Sequence, residues 1–381
     1  MRIVIAPDSF KECASAREIC GAMAAGAQRA APGAEVVSIP MADGGEGTVD
    51  AIVAATGGTR VAVDVTGPLG EVVTANYGIT GDASVAVIEM AAASGLELVS
   101  SGRRDPAVAT TRGTGELLVH AMESGVERIL VGLGGSATND GGAGLAEALG
   151  YRFLDNHGES LQRGGLALSK LARINSSEVH KAISKLEIVG ACDVTNPLCG
   201  PEGASMTFGP QKGASPTVVR LLDGALMRLG TVVSEQLGVD ILGIPGAGAA
   251  GGLGGGLVAF AGASLRPGVE FVAETVGLEE AVQGSTLVLT GEGRVDGQTA
   301  RGKTPMGVSS CAHRLGVPAI VVAGSLGDGW KTILDHGAAQ VYDIRSLAES
   351  EEESKALWRT LVEKQAEHAV TLWMKHEGLH R

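Results

Sequence analysis

The chain has 381 residues, a formal charge of -13 and a pI near 5.1. That length predicts two domains, each large enough for a full core, and the acidic balance argues against nucleic-acid binding, which needs a basic footprint. Five cysteines (Cys13, Cys20, Cys192, Cys199 and Cys311) make neither an even framework nor a CxxC pair, which suits reduced thiols in a cytoplasm and gives no zinc signal.

The chain opens MRIVIAPD, which reads as a first strand; its apolar part is too short for a signal peptide. The runs 2–6, 36–40, 128–132, 286–290, 319–323 and 340–344 are short, mostly β-branched and bounded by turn residues, as buried parallel strands should be. Helical spacing lies between several of them. Residues 15–30 carry Ile19, Met23 and Ala27 on one face, residues 113–124 precede the third run, and residues 305–315 begin with a proline at a first helical position. A last helix is expected over 351–375, with Leu357, Leu361, Ala369 and Leu372 as its buried stripe.

Two segments break this alternation. Residues 60–101 alternate apolar and polar side chains, which predicts antiparallel or mixed strands, and residues 151–267 hold turns, an apolar run and a long glycine-rich tract. The tract 243–265 has no charged residue and is long enough to span a bilayer, but its small residues contribute little transfer energy. A packed loop and helix in a soluble core is expected there, not a membrane span. The fold predicted is α/β: a doubly wound parallel-sheet (Rossmann/flavodoxin-like) domain over 1–59, 102–150 and 268–381, with a second, inserted α/β domain of mixed sheet over 60–101 and 151–267.

Glycine-rich, acid-bearing loops follow several of the strand runs. Ligands of open α/β sheets bind outside the carboxyl ends of the strands, where glycine lets backbone approach a phosphate and a carboxylate can hold a metal or take a proton. Residues 297–304 match the string GxxxxGK[ST], but a phosphate-binding P-loop must follow its strand directly, and here the strand ends near Thr290. Lys303 is still able to reach a phosphate as a point charge. The loop 132–142 offers Gly134, Gly135, Ser136 and Asn139 ahead of a helix, an anion-site pattern, with Asp140 either repelling the phosphate or serving as a helix cap. Asp8 and Asp43 end neighbouring strands and would face one cleft. Glu292 and Asp296 share a loop with Arg294, a mix suited to Mg2+ beside an anionic substrate. Asp193 follows an apolar run and is expected to be partly buried, a setting that tunes a base. Lys11 follows Asp8 closely enough to pair with it or to clamp an anion.

The strings APDSFK (6–11), PMADGGEGT (40–48), GLGGSATNDGGAG (132–144), ACDVTNPLCGPEGAS (191–205), FGPQKGA (208–214), PGAGAAGGLG (245–254), TGEGRVDGQTARGKTPMGV (290–308) and AGS (323–325) together resemble the type 1 glycerate kinase family. They span nearly the whole chain in the family's order. One departure is Glu12-Cys13, where the family commonly has Gly-Ser; Cys13 is expected to begin the first helix.

The resemblance implies a cytoplasmic kinase that uses ATP and Mg2+ to convert D-glycerate to 2-phosphoglycerate, with no nucleic-acid or membrane partner and self-association left open. Gly134, Gly135, Ser136 and Asn139 would take the ATP phosphates with help from Lys303. Asp43, Glu292 or Asp296 would hold Mg2+, Lys11 and Arg294 would grip the glycerate carboxylate, and Asp193 or Asp8 would accept the hydroxyl proton. Alternatives are 3-phosphoglycerate as product, a kinase of another small hydroxy acid, and a non-catalytic nucleotide-binding regulator.

Overall fold

The computed structural model describes residues 1–299 and 302–378. The chain forms two compact units. One comprises Met1–Asp43, Asp50–Gly57 and the chain from Pro267 on, and the other comprises Gly44–Val49 and Gly58–Arg266.

The first unit is built on a five-stranded parallel sheet. Its spatial order is Ala338–Asp343, Ala319–Ala323, Leu287–Thr290, Arg2–Ile5, Glu35–Ser38. Numbered along the unit and read from the last strand, that is 2-1-3-4-5, the flavodoxin-like doubly wound order. Every residue of Leu287–Thr290 and Ala319–Ala323 is buried, because helices cover both faces of the centre. The outer strands, Glu35–Ser38 and Ala338–Asp343, are only partly buried, since an edge strand lacks one neighbour.

Helix Ala16–Ala30 starts at a reciprocal cap. Ser15 Oγ accepts from Glu18 N–H, and the Glu18 carboxylate accepts from Ser15 N–H at 3.0 Å. Its buried Ile19, Met23 and Ala27 share a core with Ile3, Ile5, Leu289 and the last helix. Cys13 lies before this helix, in a tight turn in which Phe10 and Ala14 exchange backbone hydrogen bonds. The last helix is two helices, Glu351–Ala356 and Trp358–His376, broken at Leu357. Leu357 and Leu372 are exposed, so the expected stripe is corrected: Leu361, Val362, Ala366, Ala369, Val370 and Trp373 form the buried face.

The second unit carries a mixed six-stranded sheet in the order Ser264–Arg266, Glu187–Ala191, Arg128–Gly132, Val85–Glu89, Val72–Ile79, Thr59–Thr66. The first four are parallel to one another, and the last two run antiparallel, as the alternation in residues 60–101 predicts. One expectation is corrected here. Segment 102–150 was expected in the first domain, but its strand Arg128–Gly132 is hydrogen-bonded between Val85–Glu89 and Glu187–Ala191, which puts the segment in the second unit. The glycine-rich tract forms helix Ala249–Ala261 and the strand Ser264–Arg266, and among the described residues no helix is long and apolar enough to cross a membrane.

Candidate active site

In the first unit the parallel ladder continues past the strand ends. Asp8 N–H donates to Gly291 O at 2.8 Å, and Met41 N–H donates to Pro7 O at 3.0 Å. These bonds carry the loops after three adjacent strands into register, and Asp8, Asp43 and Glu292 line one cavity of about 480 Å³. Gly291 is required for this exit, because a Cβ there would sit 2.0 Å from Val322 O. Lys11, Arg294 and Lys303 line the same cavity. The expectation that the two aspartates share a cleft therefore holds within this unit.

The carboxylates are held in an uncomfortable state. Asp8 is 9% exposed, and burial followed by the charge of Asp43 pushes its pKa up to about 6. Opposing this, Thr304 Oγ1 donates to Asp8 Oδ2 at 2.6 Å and Ser9 N–H donates to Oδ1 at 2.6 Å. Burial likewise drives Glu292 up to about 7, with Asp8 and Asp43 adding repulsion. Thr299 Oγ1 donates a short hydrogen bond to Glu292 Oε1, and Lys303 Nζ lies 3.6 Å from Oε2. Asp296 differs. Burial works against its ionisation, but the Gln298 N–H at 2.9 Å, the Lys303 charge and Arg294 outweigh it and keep the carboxyl below its usual range. Arg294 Nε lies 3.2 Å from Asp296 Oδ2, and Asp296 is not among the residues lining the cavity. Among the described residues no group of three or more His, Cys, Asp or Glu side chains converges as metal ligands.

Helix Thr304–Arg314 begins directly after Lys303, but the strand ahead of the string is only the two-residue Arg294–Val295 of a separate two-stranded sheet, and the strand of the main sheet ends at Thr290. The P-loop context is therefore absent, and residues 300 and 301 of that string lie outside the described residues. Lys11 sits at the tip of the Phe10–Ala14 turn, followed by Glu12 at φ 60°, a left-handed conformation that favours glycine. This explains the family's usual glycine at that place. Sequence reasoning missed Thr299 and Thr304, the hydroxyls that hold the two acids; only the Walker-like string drew attention to that stretch.

The loop after Arg128–Gly132 belongs to the second unit. Gly134 and Gly135 are exposed and Ser136 is nearly buried, whereas Asn139 is fully buried with its Nδ2 donating to Ser205 Oγ at 2.9 Å. The Asn139 amide nitrogen is thus spent inside the protein. Asp140 is also internal. It accepts from Thr111 N–H, Thr111 Oγ1, Gly142 N–H and Gly144 N–H at 2.8–3.2 Å; the helix that follows is Ala143–Ala148 with Gly142 at its N-cap, so the expectation that Asp140 is the cap residue is corrected. Burial raises its pKa, and those four donors oppose the rise. Lys212, which lies in the string 208–214 but is given no role by the sequence, is 2% exposed and donates to Ser136 Oγ at 2.6 Å and Thr138 O at 2.7 Å. Burial lowers its pKa to about 7 against the pull of Asp140. Asp193 leaves the neighbouring strand, since Gly132 pairs with Ala191, but it is exposed; the expected partial burial is not found, because the chain turns outward after Ala191.

Acids of raised pKa beside lysine and arginine, at the carboxyl ends of a parallel sheet, define an α/β enzyme equipped for anionic substrates. The glycerate kinase family profile matches residues 3–374. A glycerate kinase of Halalkalibacterium halodurans is 48% identical over 98% of this chain and 99% of its own length. A glycerate 2-kinase of Escherichia coli K12 is 50% identical over 90% of each chain. The crystal structure of a candidate glycerate kinase 2 from Salmonella typhimurium LT2 superposes with a TM-score of 0.91 at 47% identity, covering 99% of both chains. The chain belongs to the glycerate kinase family, and it is a phosphotransferase.

Proposed function

We propose that this enzyme transfers the terminal phosphoryl group of ATP to the 2-hydroxyl of D-glycerate, with Mg2+ as the companion ion. The observation that carries the reading is the gathering of Asp8, Asp43 and Glu292 with Lys11, Arg294 and Lys303 around one cavity. The name of the E. coli relative, glycerate 2-kinase, supports the choice of hydroxyl.

Phosphoryl transfer asks a protein mainly for positioning and charge neutralisation. Lys11 and Arg294 bind the glycerate carboxylate as the exposed cations on the cavity wall. Asp8 takes the proton of the 2-hydroxyl as its oxygen bonds to the terminal phosphorus and the bond to ADP breaks. A carboxyl with a pKa near 6 is a workable base near neutral pH, and Thr304 and Ser9 fix its orientation. Asp193 is the second candidate for this proton. Lys303 faces phosphate oxygens from beside Glu292, and the Gly134, Gly135 and Ser136 loop makes backbone and hydroxyl contacts to phosphate.

The donor set fits Mg2+. Its ligands are hard carboxylate oxygens, and two of the acids are buried with raised pKa, which is the state a cation relieves. Asp43 and Glu292 would hold the ion, in keeping with its habit of taking one or two carboxylates and filling its shell with water and phosphate oxygens. When bound, it neutralises charge on the transferred group. Asp296, tied to Arg294, orients that guanidinium.

The test is ATP consumption with Mg2+ and D-glycerate, with the product passed to enolase and pyruvate kinase with and without phosphoglycerate mutase. Signal without mutase is expected. Signal only with mutase moves the reacting hydroxyl to carbon 3, and ATP binding without turnover on glycerate or other hydroxy acids favours a regulator.

A further inference from the structure

Lys212 is a fully buried lysine for which the reaction above has no use. It ends the short turn Pro210–Lys212, inside the string 208–214 that the sequence marks out. Burying an ammonium costs free energy unless its donors are matched. Here two matches come from one loop: Ser136 Oγ at 2.6 Å and Thr138 O at 2.7 Å.

An ammonium has donors and no acceptor. With Lys212 protonated, its Nζ has no acceptor to offer, and Ser136 receives the hydrogen bond on its oxygen at 2.6 Å, which leaves its own O–H as a donor directed elsewhere. Ser136 is 8% exposed, and the residues before it, Gly134 and Gly135, are open to solvent. The rest of the loop is tied from the same side: Asn139 Nδ2 donates to Ser205 Oγ at 2.9 Å, from the helix Ala204–Phe208 just ahead of Lys212. Thr138 Oγ1 and Asn139 Oδ1 are buried without a partner among the described residues.

We infer that Lys212 is a positioning residue that holds the 134–139 loop and orients the Ser136 hydroxyl as a hydrogen-bond donor to a nucleotide phosphate. This rests on the reading of that loop as a phosphate contact. Lys212 itself, sealed inside, touches no substrate.

The experiment compares full-length wild type, Ser136→Ala, Lys212→Met and the double variant, measuring KM for ATP, KM for glycerate, kcat and thermal midpoint. Loss of one hydrogen bond to a charged group is expected to raise the ATP KM about tenfold in Ser136→Ala, with the glycerate KM within about twofold. Lys212→Met should raise the ATP KM at least as far. The double variant should be no worse than Lys212→Met, because the two changes remove the same contact.

An unchanged ATP KM in Ser136→Ala overturns the inference. So do effects that multiply in the double variant, or a lowered thermal midpoint in Lys212→Met with ATP KM intact, which is what a purely structural lysine would give. If Lys212→Met fails to fold, Ser136→Thr takes its place beside Ser136→Ala. Retention of the wild-type ATP KM by threonine but not by alanine supports the donor role, and equal losses in both overturn it. A wild type that consumes no ATP with glycerate or any other hydroxy acid overturns the functional reading itself. Wild-type turnover with an insensitive Ser136 removes only the role given to Lys212.

Discussion

Replacing Glu292 with glutamine separates what the fold wants from what the chemistry wants. Glutamine keeps the shape and can still accept the Thr299 hydrogen bond on its carbonyl oxygen, but it removes a buried charge that faces Asp8 and Asp43. Glu292 is 7% exposed, so solvent screens it little. Its carboxyl moves from an ordinary value of 4.5 to about 7 on folding. At about 1.4 kcal/mol for each pH unit, ionising it in the native state costs roughly 3 kcal/mol. The folded protein binds this proton more tightly than the unfolded chain does, so the contribution of Glu292 to native stability is fullest below about pH 4.5 and is lost as pH rises through about 7.

Glu292→Gln should therefore match the wild type near pH 4.5 and exceed it by roughly 2–3 kcal/mol at pH 8. The assay is urea denaturation in EDTA across that range, read by tryptophan fluorescence. Trp330, Trp358 and Trp373 all lie in the unit that holds Glu292, so the signal reports the right transition. Adding Mg2+ at pH 8 should stabilise the wild type more than the variant. A stability difference that is the same at both ends of the pH range, or a variant less stable at pH 8, would refute the reasoning.

Asp8→Asn should lower kcat by roughly a hundredfold or more with little change in the glycerate KM, and a loss of only a few fold would remove Asp8 from the proton transfer. The same measurement on Asp193→Asn decides between the two acceptors; a larger loss there moves the role to Asp193. Lys303→Met removes a charge that holds the Glu292 pKa down, so the acidic limb of the kcat/KM profile should shift to higher pH. A limb that stays in place would mean Glu292 does not govern it. Glu12→Gly relieves a side chain held at φ 60° and loses only an ion pair to Lys355 in which Glu12 is 84% exposed. It should gain about 1 kcal/mol in urea denaturation, and a net loss would show that the ion pair outweighs the strain.

The parallel strands of the first unit and the loops that leave them were legible because short buried runs bounded by glycine and acids carry a strong local signal. Partner choice is different. Residues 128–132 look like any other buried strand, and nothing in RILVG says that it lies between 85–89 and 187–191 instead of beside 2–5. Asp8 and Asp43 could be placed together because strand order fixes which loops are neighbours, whereas the sequence groups Glu292 only with Asp296 and Arg294 on their shared loop. Burial of a single loop side chain has no such rule behind it. Asn139 reads from the sequence as a phosphate contact and Asp193 as partly buried, yet Asn139 is sealed against Ser205 and Asp193 is exposed, and Lys212 gave no sign of being interior. The break at Leu357 was equally silent, as a leucine continues a helical pattern on paper.

The glycine-rich tract that mimics a membrane span has a different role in the second unit. Gly251, at φ +70°, lies so close to the 132–142 loop that a Cβ would stand 2.0 Å from Thr138 O, and Gly141 N–H donates to Gly251 O at 3.1 Å. From the opposite side, a Cβ on Gly142 would meet Gly256 Cα at 2.9 Å. Two distant stretches of chain are thus fitted main chain to main chain, with no side chain between them to absorb a change. For evolution in the laboratory, this contact is a frozen region: randomising either stretch alone should return glycine at these positions, and new specificity will have to be sought on other surfaces of the molecule.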